Sequence, residues 1–599
     1  MGTEDDRRVR LQRGPESRFS QLLINLSATL DRRVGWDRLP LVLGLTTLGG
    51  LREQLRRDNL FDPGVAEVDS LAGPSQREYR TADGMWNDLV HPMMGAAESN
   101  FGRNVLPAAN APEPVSTLFT PCPRVVSRAL LTREKFIPAT TLNILAAAWL
   151  QFEVHDWFSH GKNEVEDPFT LSVEEDDPWP GKDRTVVIER TRRGDQSGVF
   201  RSEDTHWWDG SQIYGSTPAQ QALLRDGPRL KVEGGTIPSE LADHLDFRGQ
   251  GAGFWTGWAM MHTLFALEHN AICEHLCMNE PALRKDEEKL FQTARMINVA
   301  LMAKIHTVEW TPAILAHRTT RIGMRMNWWG ISERLKRSVG RVSANEAISG
   351  IPTSATDHHG APYCLTEEFV SSYRMHPLIP DEYVFRAPTG GRGRRHLNLS
   401  ELRTRHAIRV LGELEMPTVL YTFGVSHPGA ITLHNYPRTM QEFDREGQLT
   451  DLAATDILRD RERGVPRYNR FREAFHKPPL RTFDQLSDNP VQAAEIRDVY
   501  NGKIDDVDTM IGLYAEPRPQ GFGFSDTAFR VFILMACRRL KSDRFFTECY
   551  NEKYYTKAGL SWIDNSSMKT VLLRHFGREL GDVLAPIENA FEPWPPVAG

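Results

Sequence analysis

The stretch from Leu142 to Asp156 decides what class of fold this chain can take. Leu142, Leu145, Ala146 and Trp149 fall at i, i+3, i+4 and i+7, and the pattern runs on through Phe152 to Asp156, the period of a helix with one apolar side. Residues 286–311 and 526–541 are also long, apolar on one side and free of internal proline. Strand-like alternation is rare, with Thr185 to Glu189 as the short candidate. No internal repeat is present, which argues against solenoids and propellers. The chain is therefore expected to be mainly α with few short strands, and helices this numerous without a sheet often wrap a large apolar cofactor.

A chain of 599 residues allows about three to four domains on length alone. No stretch looks like a linker between independent units. The expected organisation is an N-terminal helical extension over residues 1–75, one large helical body over 76–599, and a tail at the Pro-rich end from Glu592 to Pro596. The net charge of −7 argues against nucleic acid, which needs a concentrated basic face. The basic run Arg392, Arg394 and Arg395, set among glycines, reads as a solvated loop. Six scattered cysteines fit a reducing compartment, and Cys273 and Cys277, four apart on a helix, read as packing.

The first residues carry no secretory pattern, and the longest apolar stretch, Leu39 to Leu51, falls well short of the roughly 20 residues that span a bilayer. A cytoplasmic location and no transmembrane segment are expected. Arg32, Arg33 and Arg38 precede that stretch and Arg52, Arg56 and Arg57 follow it, which leaves peripheral membrane contact open. The favoured reading is a helical arm packed on the body.

Three clusters carry chemistry. In Gln151-Phe-Glu-Val-His155-Asp156-Trp157, Gln151 and His155 share a helix face while Asp156 turns to the next, so one helix serves two neighbouring sites. Taken alone, His155 also fits a hydrogen-bonded core histidine, and its spacing to His160 is not that of a zinc protease. In Thr205-His-Trp207-Trp208-Asp209-Gly210-Ser211, the oxygens of Thr205, Asp209 and Ser211 and the Trp207 carbonyl could join Asp156 around calcium, although a plain Asp-Gly turn explains the same residues. In Tyr373-Arg-Met-His376-Pro, a helix is expected to end at His376, because Pro377 biases it out of the helical region. An imidazole at such an end suits haem iron, and a tyrosine nearby could exchange an electron with it.

Together these segments resemble the animal haem peroxidase and cyclooxygenase superfamily, most closely the fatty-acid α-dioxygenases. Lys304-Ile-His306-Thr-Val-Glu-Trp310-Thr311, Leu267-Glu-His-Asn270, Arg459 to Asn469 and Tyr555 to Gly559 extend the resemblance, in the family's order, over nearly the whole chain. It implies a single helical domain of the haem peroxidase type wrapping a haem b. It implies His376 as proximal iron ligand, His155 as distal histidine with Gln151 beside it, Tyr373 as the radical tyrosine, and Asp156, Thr205, Trp207, Asp209 and Ser211 as calcium ligands. The substrate carboxylate would be held by His306, Thr311 and an arginine, either Arg538 or Arg539, of which Arg539 matches better.

His306 and Thr311 would diverge on a continuous helix and are expected to converge only if it unwinds before Pro312. Where peroxidases place an asparagine behind the proximal histidine, the alignment reaches Asp456. The stretch Gly249 to Trp258 lacks the arginine and glutamate of haloperoxidases, so the haem is expected to be non-covalent. The implied activity inserts O2 at C2 of a long-chain fatty acid through a tyrosyl radical, with hydrogen peroxide as activator. A peroxidase acting on small reductants, or a haem- or lipid-binding protein without oxygenase activity, would account for fewer of these residues.

Overall fold

The computed structural model describes residues 18–68, 71–106, 112–194, 198–238, 254–343, 345–389, 394–403, 406–445 and 447–597. The signal-sequence reading at the first residues, Arg392 of the basic run and Gly249–Gly253 fall outside them. Eight helices position the site: α1 (Arg18–Arg33), α2 (Leu41–Asp58), α3 (Ile144–Trp157), α4 (Thr256–Asn279), α5 (Glu287–Ile305), α6 (Glu367–Ser372), α7 (Leu452–Glu462) and α8 (Asp526–Ser542). Among the described residues the strands pair into two-stranded ribbons.

Helix α3 starts where Asn143 accepts a hydrogen bond from the Ala146 N–H at 3.3 Å, and its three consecutive alanines favour the helix. The sequence suggests one apolar side, yet 11 of its 14 residues are buried. The exceptions, Gln151, Val154 and His155, lie at i, i+3 and i+4, so a single stripe of a core helix is left partly exposed.

Helix α5 is capped by Asp286 and buried from Leu290 to its end. It stops short of the expected Thr311. A wide π turn follows at His306–Trp310, then one α turn at Thr311–Ile314. The helix therefore does not unwind before Pro312. A turn closing i to i+5 adds one residue per turn and brings positions 306 and 311 into register, with helical backbone kept throughout.

Helices α1 and α2 form a hairpin so close that a β-carbon on Gly50 would lie 2.1 Å from Ser27 Oγ. At its turn Trp36, 1% exposed, donates to Asp526 at 2.8 Å and packs on Phe522 and Phe529, while Asp31 pairs with Arg530. The arm is thus tied to the start of α8. Among the described residues no helix is long and apolar enough to cross a membrane.

Two sequence expectations need correction. The Pro-rich stretch from Glu592 is anchored on the body: Trp594 is 2% exposed, rests on Gly424 and donates its indole N–H to Ala590 O. The polar stretch after residue 160 contains a second strand, Glu164–Ser172, antiparallel to the expected one, Thr185–Arg190. Pro168 lies at a register shift in that pair, and Phe169 and Leu171 join Val186 and Ile188 in a satellite core. All six cysteines are free, and Cys273 donates to Pro228 O, a packing role as expected.

Candidate active site

Helix α6 ends one turn earlier than Pro377 alone predicts. Tyr373 is its C-cap, and His376 opens a short 3-10 turn. Tyr373 is buried against Phe369, with ring centroids 4.5 Å apart, and meets Trp157 edge-on at 5.2 Å. Burial raises its phenol above the ordinary value, with the Arg539 cation opposing, so the O–H is kept. Behind His376, Asp456 on α7 lies 3.0 Å from Nδ1, accepts from Tyr436 at 3.1 Å and pairs with Arg374. Burial works to raise the Asp456 carboxyl, but Arg374 and His376 overcome it and hold it at about 2. The His376 side chain keeps 31% exposure between buried Met375 and Pro377.

A second cluster surrounds Arg539 on α8. Its guanidinium carbon sits 4.3 Å from the ring centre of Trp157 and 4.7 Å from that of Trp208, and Nε and Nη2 have no hydrogen-bond partner. An arginine stacked between indoles and 2% exposed, with guanidinium N–H groups unused, is a receptor for an anion. The neighbouring Arg538 differs, because its Nη2 donates to the carbonyls of Ala361 and Pro362.

His306, also fully buried, is stacked on Trp310 at 4.5 Å and touches Trp157 and Trp208 edge-on. Burial, then the Arg539 charge, hold it well below the ordinary value. It is neutral, and since Nδ1 lies 3.2 Å from the Trp149 indole N–H and must accept, the proton sits on Nε2 as a donor. The Thr311 hydroxyl is buried without a partner. Trp157 thus touches Tyr373, His306 and Arg539 at once.

A third cluster lies on the other face of α3. Asp156 Oδ1 accepts from Ser211 N at 2.6 Å and Ser211 Oγ at 3.0 Å, and Thr205 donates to Asp209 Oδ2 at 3.0 Å. Asp156 Oδ2 is buried without a partner. Burial first, then Asp209, push the Asp156 carboxyl up to about 8. Two desolvated carboxylates and hydroxyl oxygens fit a hard cation, although Arg295, 3.6 Å from Asp209, supplies some of the charge. Among the described residues no three His, Cys, Asp or Glu side chains form a metal cluster. The Trp207 indole donates to Met94 O, and its ring stacks on Tyr363.

The animal haem peroxidase family model matches residues 79–583. Alpha-dioxygenase 2 of Arabidopsis thaliana is 35% identical, over 96% of this chain and 94% of its own length. This chain belongs to the α-dioxygenase branch of the animal haem peroxidases. The crystal structure of the fatty acid α-dioxygenase of Oryza sativa superposes with a TM-score of 0.88 at 30% identity, covering 97% of this chain and 98% of that one. A tyrosine-to-phenylalanine variant of the rice enzyme, solved with palmitic acid, superposes with a TM-score of 0.89.

As in the family, the residues fit a haem. His376 has one ring nitrogen engaged by a carboxylate and the ring still accessible, an arrangement that makes an imidazole more electron-donating. His155 and Gln151 sit on the only open stripe of α3. Between Phe254 and Trp258 no carboxylate is available for an ester link.

Spacing and resemblance missed what holds these groups. Trp149 sets the tautomer of His306, Trp157 and Trp208 cradle Arg539, and Arg374 and Tyr436 anchor Asp456. Trp149 and Trp157 were in view on the α3 pattern, and Trp208 in its loop motif. Their partners are up to 382 residues further along the chain, at Arg539, and no local pattern reports them.

Proposed function

We propose that this chain is a haem-dependent fatty-acid α-dioxygenase that inserts O2 at C2 of a long-chain fatty acid to give a 2-hydroperoxy acid. The observation that carries the reading is Arg539, a buried cation with unused guanidinium N–H groups, joined through Trp157 to a buried, protonated Tyr373. A peroxidase of small reductants needs neither the anion receptor nor the tyrosine. The palmitic acid complex of the rice relative supports the same substrate class.

In this reading the substrate carboxylate lies on Arg539, takes a hydrogen bond from Nε2–H of His306 and another from the Thr311 hydroxyl, and its tail runs along apolar side chains such as Phe532, 6.5 Å from Tyr373. His376 would hold a non-covalent haem b, with His155 and Gln151 as its distal residues, and the haem would supply the oxidising equivalent by which Tyr373 becomes a phenoxyl radical. Hydrogen peroxide is the activator, and His155 takes a proton from one of its oxygens and returns it to the other. The Tyr373 radical takes a hydrogen atom from C2, O2 adds to the carbon radical, and the resulting peroxyl takes the hydrogen back, so that only substrate and O2 are consumed. Asp156, Thr205, Trp207, Asp209 and Ser211 would hold calcium, which would offset the repulsion of two buried carboxylates and steady α3 beneath His155.

The protein is placed in the cytoplasm, and Leu22, Leu26, Val42 and Leu43, exposed on the α1–α2 hairpin, are the side chains that a peripheral membrane contact would use. Subcellular fractionation tests that part. The activity is tested by oxygen uptake with palmitate and mass detection of the 2-hydroperoxy product. Tyr373→Phe is expected to abolish both while haem absorption and peroxide reactivity persist. Normal oxygenation by Tyr373→Phe would overturn the mechanism.

A further inference from the structure

Glu153 is a carboxyl where an apolar residue would be expected. It lies on α3 with 0% exposure, on the buried side of a turn whose other side carries the partly exposed Gln151, Val154 and His155. Its Oε2 accepts the Trp208 indole N–H at 2.8 Å, and its Oε1 has no partner, nor has the indole N–H of Trp157 one turn further along the helix. Trp157 and Trp208 stand nearly perpendicular, centroids 5.6 Å apart at 84°, and they are the two rings that flank the Arg539 guanidinium.

Burial, and then Asp156, push the Glu153 carboxyl well above the usual carboxylate range, with the Trp208 hydrogen bond and Arg539 opposing. A neutral carboxyl here accepts a hydrogen bond without cancelling the arginine. An ionised one would compete with an incoming anion for it.

We propose that Glu153 is a positioning residue of the carboxylate site: by accepting the Trp208 N–H it fixes the indole shelf on which Arg539 rests, and so sets affinity for the substrate carboxylate. The inference rests on the fatty-acid reading above. Without that acceptor the Trp208 N–H is left buried and unpaired, and the ring turns to find a partner. The guanidinium then loses one of its two π faces. A residue that merely fills core volume would instead affect stability and leave substrate affinity alone.

The experiment compares holoenzymes of Glu153→Met, which fills a similar volume without an acceptor, and Glu153→Gln, which keeps one. Glu153→Met is expected to raise the KM for palmitate roughly tenfold, with kcat and the haem absorption spectrum little changed. Palmitate titrated calorimetrically into the Tyr373→Phe holoenzyme, which binds without turnover, should lose affinity by the same factor when Glu153→Met is added. Glu153→Gln should restore both quantities to within about twofold of the parent. If Glu153→Met does not fold, replacement of Trp208 by 3-benzothienylalanine, which keeps a bicyclic aromatic ring and removes the N–H, is expected to show the same rise. Unmoved KM and affinity in the variant that folds, or a Glu153→Gln loss as large as that of Glu153→Met, would overturn the proposal. A wild-type enzyme that takes up no oxygen with palmitate would instead sink the activity reading on which it stands.

Discussion

Three residues beyond Tyr373, His376 leans on Asp456, and that carboxylate is surrounded by partners: Tyr436 donates to it, Arg374 pairs with it, and Arg374 in turn reaches Asp460, which also accepts from Ser371. Across Trp157 from the same phenol, Arg539 keeps two guanidinium nitrogens, Nε and Nη2, unused, and the Thr311 hydroxyl has no partner. Both regions bury charge, but only the first pairs its cation with carboxylates. A buried polar group left unpaired costs about 1–3 kcal/mol, so a site that tolerates several of them is built for something absent from the folded chain alone. A network closed on itself holds one ring in place. An open one waits for a ligand.

The closed side should break hardest. Asp456→Ala strips His376 of its carboxylate and leaves Arg374 with Asp460 alone, which is expected to cost about 3–5 kcal/mol in denaturant unfolding and to weaken haem retention. A loss below about 1 kcal/mol would mean that the network is not the closed unit described here.

Acid sharpens the comparison next. His160 is held at about 4 by burial and then Arg463, despite its contact with Glu367, and His262, with both ring nitrogens unpartnered, is held at about 3 by burial. Both folded values lie below the unfolded one near 6.5, so the unfolded chain takes up protons that the folded one refuses. Each of the two therefore takes up to about 1.4 kcal/mol per unit from stability as the pH falls from about 6.5 toward 4, and buried His206, His269, His306 and His359 act in the same direction. His262→Leu should lower the slope by about 1.4 kcal/mol per unit. An unchanged slope would place His262 among groups that carry a proton when folded.

The two adjacent arginines separate the regions within one turn of α8. Arg539→Gln is expected to raise the KM for palmitate roughly 30- to 100-fold, about 2–3 kcal/mol, while the unfolding midpoint holds or rises. Arg538→Gln removes donors to two buried carbonyls, so its unfolding midpoint should fall with KM unchanged. The opposite pattern would exchange their roles.

What could be read beforehand divides along the same line. Period alone finds α3, α5 and α8 and the strand at Thr185, because each helix or strand carries its signal within its own residues. The resemblance, not spacing, singles out Arg539 and Asp456. Glu164–Ser172 is hidden by Pro168 and its charges, since the apolar face that makes it a strand is completed by Val186 and Ile188. The π turn is missed because five residues from His306 to Trp310 read as ordinary helix, and the wider turn is held by contacts from elsewhere: Trp149 to His306 and Trp310 to Ala146 O. The Trp208–Glu153 pair, 55 residues apart, has no sequence signature at all.

Thr311 gives the smallest effect and the most discriminating one. Its hydroxyl is buried with no partner, so in the free protein Thr311→Val removes an unsatisfied group and adds a methyl of nearly the same shape. The unfolding midpoint should therefore stay put or rise slightly, although the residue sits at 0% exposure where most substitutions are costly. If the hydroxyl donates to the substrate carboxylate, the same change should raise the KM for palmitate about three- to tenfold, roughly 1 kcal/mol, and leave kcat nearly unchanged. Stability and affinity then move in opposite directions, which a packing defect does not produce. A midpoint that drops with KM unchanged would show that Thr311 serves the wide turn beneath it, and the open set would shrink to Arg539 and His306.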